Sequence, residues 1–337
     1  MAPARSPSGF RPEPPQSANL IDWPADFGTR FTVFIDTEEE FDWTAPLARE
    51  GHTLASVAAI PEAHRRFADY GVPLTYMVDY PIATDGRARD ILRELLGDGV
   101  SAIGTQLHAW VNPPFDEVLS AANSYAGNLQ QSVEAAKLDL LTDAITSAFG
   151  QRPIAYRAGR YGIGPETLGL LAARGYRLDS SMRSRYCYTA DGGPDFSAIG
   201  NAAFRCGPDR TIIELPLTTV FTGVLRSGGA RLYGPLGRVP RARGLFARAG
   251  LLSRVALTPE DMPLAEALEA IAVAVGEGVR VLNFAFHSPS LAPGHTPYVR
   301  DAADLARFHG WWQAVLTDLA RRGVRPASLD ALIANAR

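Results

Sequence analysis

The sequence predicts one α/β domain of barrel-like architecture, and three observations carry that prediction. Apolar runs of strand length alternate with stretches of helical periodicity about seven times along the chain, the pattern of parallel strands joined by helical crossovers. Polar residues recur where those strands end: Asp36 and Glu38, Asp79, His108, Arg157 and Arg160, Asp179, and His287. Barrel enzymes place their chemistry at that rim. The composition, 46% hydrophobic and 20% charged over 337 residues, is that of a globular chain large enough to bury one such core.

Local patterns justify each element in turn. Residues 1–29 are expected to form a disordered Pro-rich leader. Met1 to about Asn19 is rich in Pro, Ser, Ala and Arg and lacks the apolar segment of a secretory signal, which points to a cytoplasmic protein. The domain then runs over 30–337. The β-branched and aromatic run Arg30–Thr37 is the first strand. Ala55–Tyr70 has helical spacing through Val57, Ile60 and Phe67, and Gly71 stops it. Pro73–Val78 is a second strand with Asp79 at its exit, and Arg87–Leu96 is a helix with Ile91, Leu92, Leu95 and Leu96 on one face. Val100–His108 is the third strand; Leu129–Phe149 is a long helix ending at Gly150. Pro153–Arg157 is a short strand that runs into the Gly-rich stretch Ala158–Gly162. A helix over Glu166–Arg174 and short strands over Tyr176–Ser181 and Thr211–Leu217 follow. Leu264–Val275 is a helix, Val279–His287 the last long strand, and Ala302–Arg322 a helix. A short strand near Val324 and a helix over Leu329–Ala336 close the chain.

Charge and cysteine usage exclude several classes. A formal net charge of -3 argues against a general nucleic-acid binder. No apolar run is long enough for a transmembrane segment. Cys187 and Cys206 form neither a disulfide framework nor a ligand-type pair. The basic residues are almost all Arg, Lys137 being the one lysine. An Arg-rich insertion at about 223–257 holds seven arginines and no acid. It reads either as a lid touching an anionic substrate or a membrane surface, or as a solvated excursion.

Four stretches carry chemistry. Asp36 and Glu38 sit two apart at the end of a buried strand and so face one way. They suit a general base beside a metal ligand, or else a solvated acidic loop. Gln106 and His108 share a face in the same manner; His108 is either a metal ligand or a locally hydrogen-bonded polar residue beside Trp110. Arg157 and Arg160 flank a tight loop from which a guanidinium can grip a carboxylate, or face solvent. His287 ends a wholly apolar strand; beside acids it can hold and donate a proton, and otherwise it is a core histidine. His295 reads as a loop residue, and His52, His64 and His309 as surface residues without a role.

Taken in order, Asp36-Thr-Glu38, Gly104–Trp110, Arg157–Gly162, Asp179-Ser-Ser and Phe286-His287-Ser-Pro resemble the motifs of the polysaccharide deacetylase superfamily (NodB homology, carbohydrate esterase family four). The resemblance covers the chain from Arg30 to its end. It implies a distorted (β/α)7 barrel, a divalent metal that is often zinc, and a hydrolase that cleaves non-peptide carbon–nitrogen bonds in N-acetylated carbohydrate, or ester bonds in O-acetylated carbohydrate. It further implies catalytic roles for Asp36 as base, His287 as acid, and Arg157, Arg160 and Asp179. Trp110 and Tyr161 would contact substrate, and Glu38, His108 and Gln106 would hold the metal. The motif departs from the family's two-histidine pattern: in one register Gln106 replaces a histidine, in the other Asn112 does. Two other readings stand beside the deacetylase: a cyclic amide hydrolase on the same fold, and a carbohydrate-binding protein that has lost catalysis.

Overall fold

Buried β-branched and aromatic residues build the frame. The structure, a computed structural model, describes residues 9–337. β1 (Arg30–Thr37) leads through α1 (Ile60–Ala68) to β2 (Leu74–Val78), and α2 (Tyr80–Thr84) and α3 (Gly86–Leu95) lead to β3 (Ala102–Leu107). α4 (Gln131–Phe149) precedes β4 (Ala155–Ala158), and α5 (Thr167–Ala173) precedes β5 (Leu178–Asp179). β6 (Phe204–Cys206) and β7 (Ile212–Glu214) follow, then a hairpin of β8 (Thr219–Thr222) and β9 (Ser253–Ala256) whose loop carries α6 (Gly229–Leu236) and α7 (Ala242–Arg248). α8 (Leu264–Gly276), β10 (Val281–His287), α9 (Ala302–Arg321), β11 (Arg325–Pro326) and α10 (Leu329–Asn335) complete the chain.

The main sheet runs β10-β1-β2-β3-β4-β5-β7-β6, with β11 beside β1. Every neighbouring pair from β10 to β7 is parallel, and only β6 runs against β7. The seven parallel strands curl into the expected distorted barrel. Its seam, between β7 and β10, is bridged by irregular chain: Thr218 N–H donates to Asn283 O, Leu257 N–H to Thr218 O, and Ala285 N–H to Leu257 O.

Alternation along the strands sorts two buried layers. Phe34, Met77, Ala155, Leu178, Ile213 and Val281 pack together inside the curl. Val33, Ile35, Tyr76, Val78 and Tyr156 pack outward with the helices. The inner layer is closed at the strands' starting ends by Ile21, Trp23 and Phe27 from the N-terminal segment and by Leu329, Leu332 and Ile333 of α10. Residues 9–29 therefore correct the expectation of a disordered leader: two 3-10 turns form at Ser17–Asn19 and Ala25–Phe27, and Trp23 stacks on Phe27. The remainder of that expectation, residues 1–8, lies outside the described residues.

Three further features escape the sequence patterns. The strands β6, β8 and β9 are only three or four residues long, too short for a period to register. His64, expected at the surface, is buried with Nδ1 2.8 Å from the Tyr76 hydroxyl. Lys137 is buried too, and its ammonium donates to the carbonyls of Ala109 (3.0 Å), Asn112 (2.6 Å) and Pro114 (2.6 Å), tying down the loop that leaves β3. Cys187 and Cys206 are free thiols.

Candidate active site

Parallel register delivers the first pair. Asp36 on β1 and His287 on β10 are register partners at the ends of adjacent strands, so their side chains emerge side by side from one face. Asp36 is 2% exposed. Its Oδ1 accepts from Arg157 Nη1 at 2.6 Å, and its Oδ2 lies 3.8 Å from His287 Nε2. The far side of the imidazole is fixed by Glu260: Nδ1 is 2.7 Å from Oε2, and the His287 backbone N–H donates to Oε1 at 3.1 Å. Burial alone would lower the pKa of His287, but Glu260, then Glu38 and Asp36, overcome it and lift it to about 10. The ring is protonated at neutral pH, and its side chain is still 22% exposed, so the proton is within reach of a bound molecule.

Arg157 is the keystone of this pair. β4 places it in register with Gln106 of β3, and each of its three guanidinium nitrogens donates a hydrogen bond. Nε donates to Ser180 O at 2.9 Å, Nη2 to Ser180 Oγ at 3.0 Å, and the guanidinium lies 5.1 Å over the Phe34 ring. Below it Asp179 and Glu214, register partners on β5 and β7, form a buried carboxyl pair. Burial and the Asp179 charge push Glu214 well above its usual range, and burial lifts Asp179 to about 6. Glu214 Oε1 accepts the Met182 N–H at 3.1 Å, and Asp179 accepts from Ser181 Oγ.

The second cluster surrounds His108. Its Nδ1 is 2.8 Å from Glu39 Oε2, and its Nε2 is 3.3 Å from Glu38 Oε2. Glu39 Oε1 accepts from the Trp110 indole at 2.9 Å. Asp79 takes the Glu39 N–H at 2.8 Å and also caps α2 by accepting the Ile82 N–H at 2.9 Å. Burial opposes every charge here. His108 nevertheless sits well above its ordinary range, because Glu39 and Glu38 outweigh the lost hydration. His108 in turn draws Glu39 down to about 2, while burial and the bond to Glu39 drive Asp79 well above its usual range.

Donor chemistry decides where a divalent metal fits. Atoms of Glu39, Asp79 and His108 all lie within 4.8 Å of one another, yet the carboxylate oxygens of that trio already accept from the Trp110 indole, the His108 ring and two backbone N–H groups. The other side of the imidazole differs. A carboxylate on Nδ1 fixes the tautomer that offers Nε2 to a cation, and Nε2 faces Glu38. Gln106 Nε2 donates to Glu38 Oε2 at 3.1 Å, while Gln106 Oε1 is buried with no partner. Glu38, His108 and Gln106 thus fit a divalent cation. Asn112, the alternative second position, also leaves its Oδ1 buried without a partner, but its amide nitrogen is held by Pro113 O and Lys137 O, and its side chain has no hydrogen bond to Glu38 or His108.

The remaining expected residues divide. Tyr161 stands beside the pair, its ring stacked on Tyr188 at 5.7 Å, and burial lifts its phenol above the ordinary range. Its loop is unusual: Arg160 and Tyr161 both adopt positive φ, +55° and +60°, at a cost of roughly 1–2 kcal/mol each. Gly159 permits the turn, since a Cβ there would fall 2.5 Å from the His108 ring. Arg160, expected near the acids, points away, with Nη1 on Ser124 Oγ and its guanidinium 4.3 Å over Tyr125. Trp110, expected to meet substrate, is 2% exposed and stacks on His108 at 4.2 Å; it holds Glu39 instead. Asp179 lies beneath Arg157 and touches neither Asp36 nor His287 directly. Glu39, Glu260, Glu214 and Trp43 were not singled out by the motifs. Trp43 packs edge-on against His287 at 5.6 Å and Tyr298 at 5.8 Å. Glu39 lay in plain view in the acidic run, but Glu260 follows the Arg-rich insertion, and no local pattern links it to His287.

Glu260→Gln is expected to lower the alkaline limit of activity. As a proton donor His287 would act only while protonated, which would place that limit near its pKa of about 10. Removing the Glu260 charge should move the falling limb of the kcat/KM profile down by at least about one pH unit. An unmoved limb would show that another group sets it.

No family model matches the chain, and no curated protein sequence matches it. Solved structures do. A proposed polysaccharide deacetylase from Mycobacterium smegmatis aligns over 96% of this chain and 94% of its own, with a TM-score of 0.54 and 18% identity. A proposed glycoside hydrolase/deacetylase from Parabacteroides distasonis aligns over 92% and 70%, with a TM-score of 0.55 and 13% identity. Puue allantoinase aligns over 96% and 93%, with a TM-score of 0.52 and 14% identity. The chain has the curled α/β barrel of these proteins, the fold that its five motifs implied.

Proposed function

We propose that this chain is a hydrolase that removes acetyl groups from N- or O-acetylated carbohydrate, assisted by a divalent metal. One observation carries the reading: a carboxylate clamped by a buried arginine faces a protonated histidine across 3.8 Å at one barrel rim. A base and an acid at that spacing can both touch a single tetrahedral centre. In the first step Asp36 accepts a proton from water as the water oxygen bonds to the acetyl carbonyl carbon. In the second the carbon–nitrogen or carbon–oxygen bond breaks, its electrons pass to the departing atom, and His287 Nε2 protonates that atom. Acetate and the free amine or hydroxyl are released, and the proton on Asp36 restores His287 through solvent.

Glu38, His108 through Nε2 and Gln106 through Oε1 would hold the metal. Zinc and manganese both suit one imidazole with two oxygens. A divalent cation at this place supplies an electrophile for the carbonyl oxygen and lowers the pKa of water. The Trp43 and Tyr161 rings offer flat apolar faces to a sugar ring.

The test is acetate release from N-acetylglucosamine oligomers. Release is expected from the purified chain, loss after chelation and dialysis, and recovery on adding zinc or manganese. A chain that frees no acetate with either metal defeats the reading. The structural likeness to Puue allantoinase and the single histidine of the candidate metal set favour a second reading, ring opening of a cyclic amide by the same acid and base. Turnover of a cyclic ureide without acetate would select it.

A further inference from the structure

We infer that the excursion between β8 and β9 is a docking surface for anionic lipid bilayers. Residues 223–257 carry seven positive charges and no acid in a chain of net charge -3, which leaves -10 on all other residues. Arg226, Arg231, Arg238, Arg241 and Arg248 are exposed, and none of the five has an ion-pair partner among the described residues. Exposed arginines elsewhere divide: Arg87, Arg152, Arg177, Arg210, Arg325 and Arg337 also lack an ion-pair partner among the described residues, whereas others are neutralised by nearby acids. Arg65 and Arg66 pair with Glu62, Arg300 and Arg307 with Asp304, and Arg321 and Arg322 with Asp318.

The same stretch exposes aliphatic side chains: Val224 (77%), Leu245 (64%), Val239 (58%), Leu232 (40%) and Leu225 (37%). These are five of the eleven exposed large hydrophobics among the described residues. Unpaired guanidiniums interleaved with bare aliphatics match the two parts of an anionic bilayer surface, phosphate headgroups above and acyl chains beneath. A glycan partner would call for exposed flat rings. Here the ring of Tyr233 is covered by Arg243 at 4.3 Å and Arg254 at 4.8 Å, and it packs on Phe221 at 5.5 Å.

The excursion is built to present this face. At its neck Gly223 has φ +89°, and a Cβ there would fall 2.7 Å from Gly250 O, so glycine alone lets the two arms close. Glu269 of α8 meets the neck, accepting the Gly223 N–H at 3.1 Å. At the base Arg254 lies 3.5 Å over the Tyr186 ring and donates to Arg185 O. Tyr186 stacks on Tyr188, and Tyr188 on Tyr161 beside the cleft. A bilayer held by the excursion would therefore lie next to the rim that carries Asp36 and His287.

Flotation of the full chain with lipid vesicles tests this. Vesicles of phosphatidylcholine with phosphatidylglycerol should bind at least about tenfold tighter than phosphatidylcholine alone, and added salt should erase the difference. The combined R226Q/R238Q/R241Q/R248Q variant should lose about a hundredfold in affinity. V239S/L245S should weaken vesicle binding about tenfold but leave binding to soluble dextran sulfate unchanged. An unshifted thermal midpoint certifies each variant as folded; where the arginine variant fails that criterion, the salt series on the unaltered chain decides. No binding to anionic vesicles, or equal binding to neutral ones, overturns the inference. So does equal binding to dextran sulfate with no effect of V239S/L245S, which would mark a polyanion site instead.

Discussion

Asp36→Asn is expected to lower kcat/KM for acetate release by roughly 10³-fold or more, within the range for loss of a positioned general base. Asparagine keeps the shape and can still accept from Arg157, but its amide oxygen cannot take a proton from water. The substitution also leaves a buried guanidinium facing a neutral partner, so activity must be compared at a temperature where near-ultraviolet dichroism shows the variant folded. A folded Asp36→Asn retaining activity within tenfold of the parent would remove Asp36 as the base. His287 would then lose its role as the matching acid.

Arg157→Met is expected to cost the fold about 3–5 kcal/mol, the scale for breaking a buried ion pair from one side. Arg157 is 1% exposed, and four acceptors or ring contacts converge on it: Asp36, Ser180 O, Ser180 Oγ and the Phe34 face. Its removal leaves the Asp36 carboxylate with only His287, 3.8 Å away, to compensate it, above a carboxyl pair that is already pushed up. Asp179, lifted to about 6 from 3.8, binds its proton more tightly in the folded chain. Its contribution is therefore full below about 4 and is lost as pH rises through about 6. Without Arg157 that loss should steepen. Urea unfolding at pH 5 and pH 8 measures both effects. The double variant Asp36→Asn/Arg157→Met should recover at least about 1 kcal/mol relative to additivity. A cost under about 1 kcal/mol for Arg157→Met would mean that the pair is not the support described.

The fold was legible because parallel strands buried on both faces write continuous apolar runs, and because their ends carry polar residues out of keeping with a core. Asp36 and His287 could be read from that contrast alone. Arg157 could be placed at the rim, but choosing it over Arg160 needed the φ values of the loop, which turn the second guanidinium toward Ser124. Trp110 reads as a sugar platform when neighbouring residues are unknown; only its indole bond to Glu39 shows it facing inward. Glu260 was beyond reach for a different reason. Its partner His287 is register-fixed on β10, while Glu260 arrives from irregular chain after β9, and no periodicity encodes that meeting. The ordered segment 20–27 was missed because proline and serine content says little about three aromatic and aliphatic side chains that fill the barrel's lower end.

The burial of Lys137 has a chemical corollary. Three backbone carbonyls hold its ammonium, and no other side-chain amine exists in the sequence. The cleft can therefore offer no lysine to trap a ketone or aldehyde as an imine, so aldol-type or decarboxylating chemistry through a lysine Schiff base is closed to this barrel.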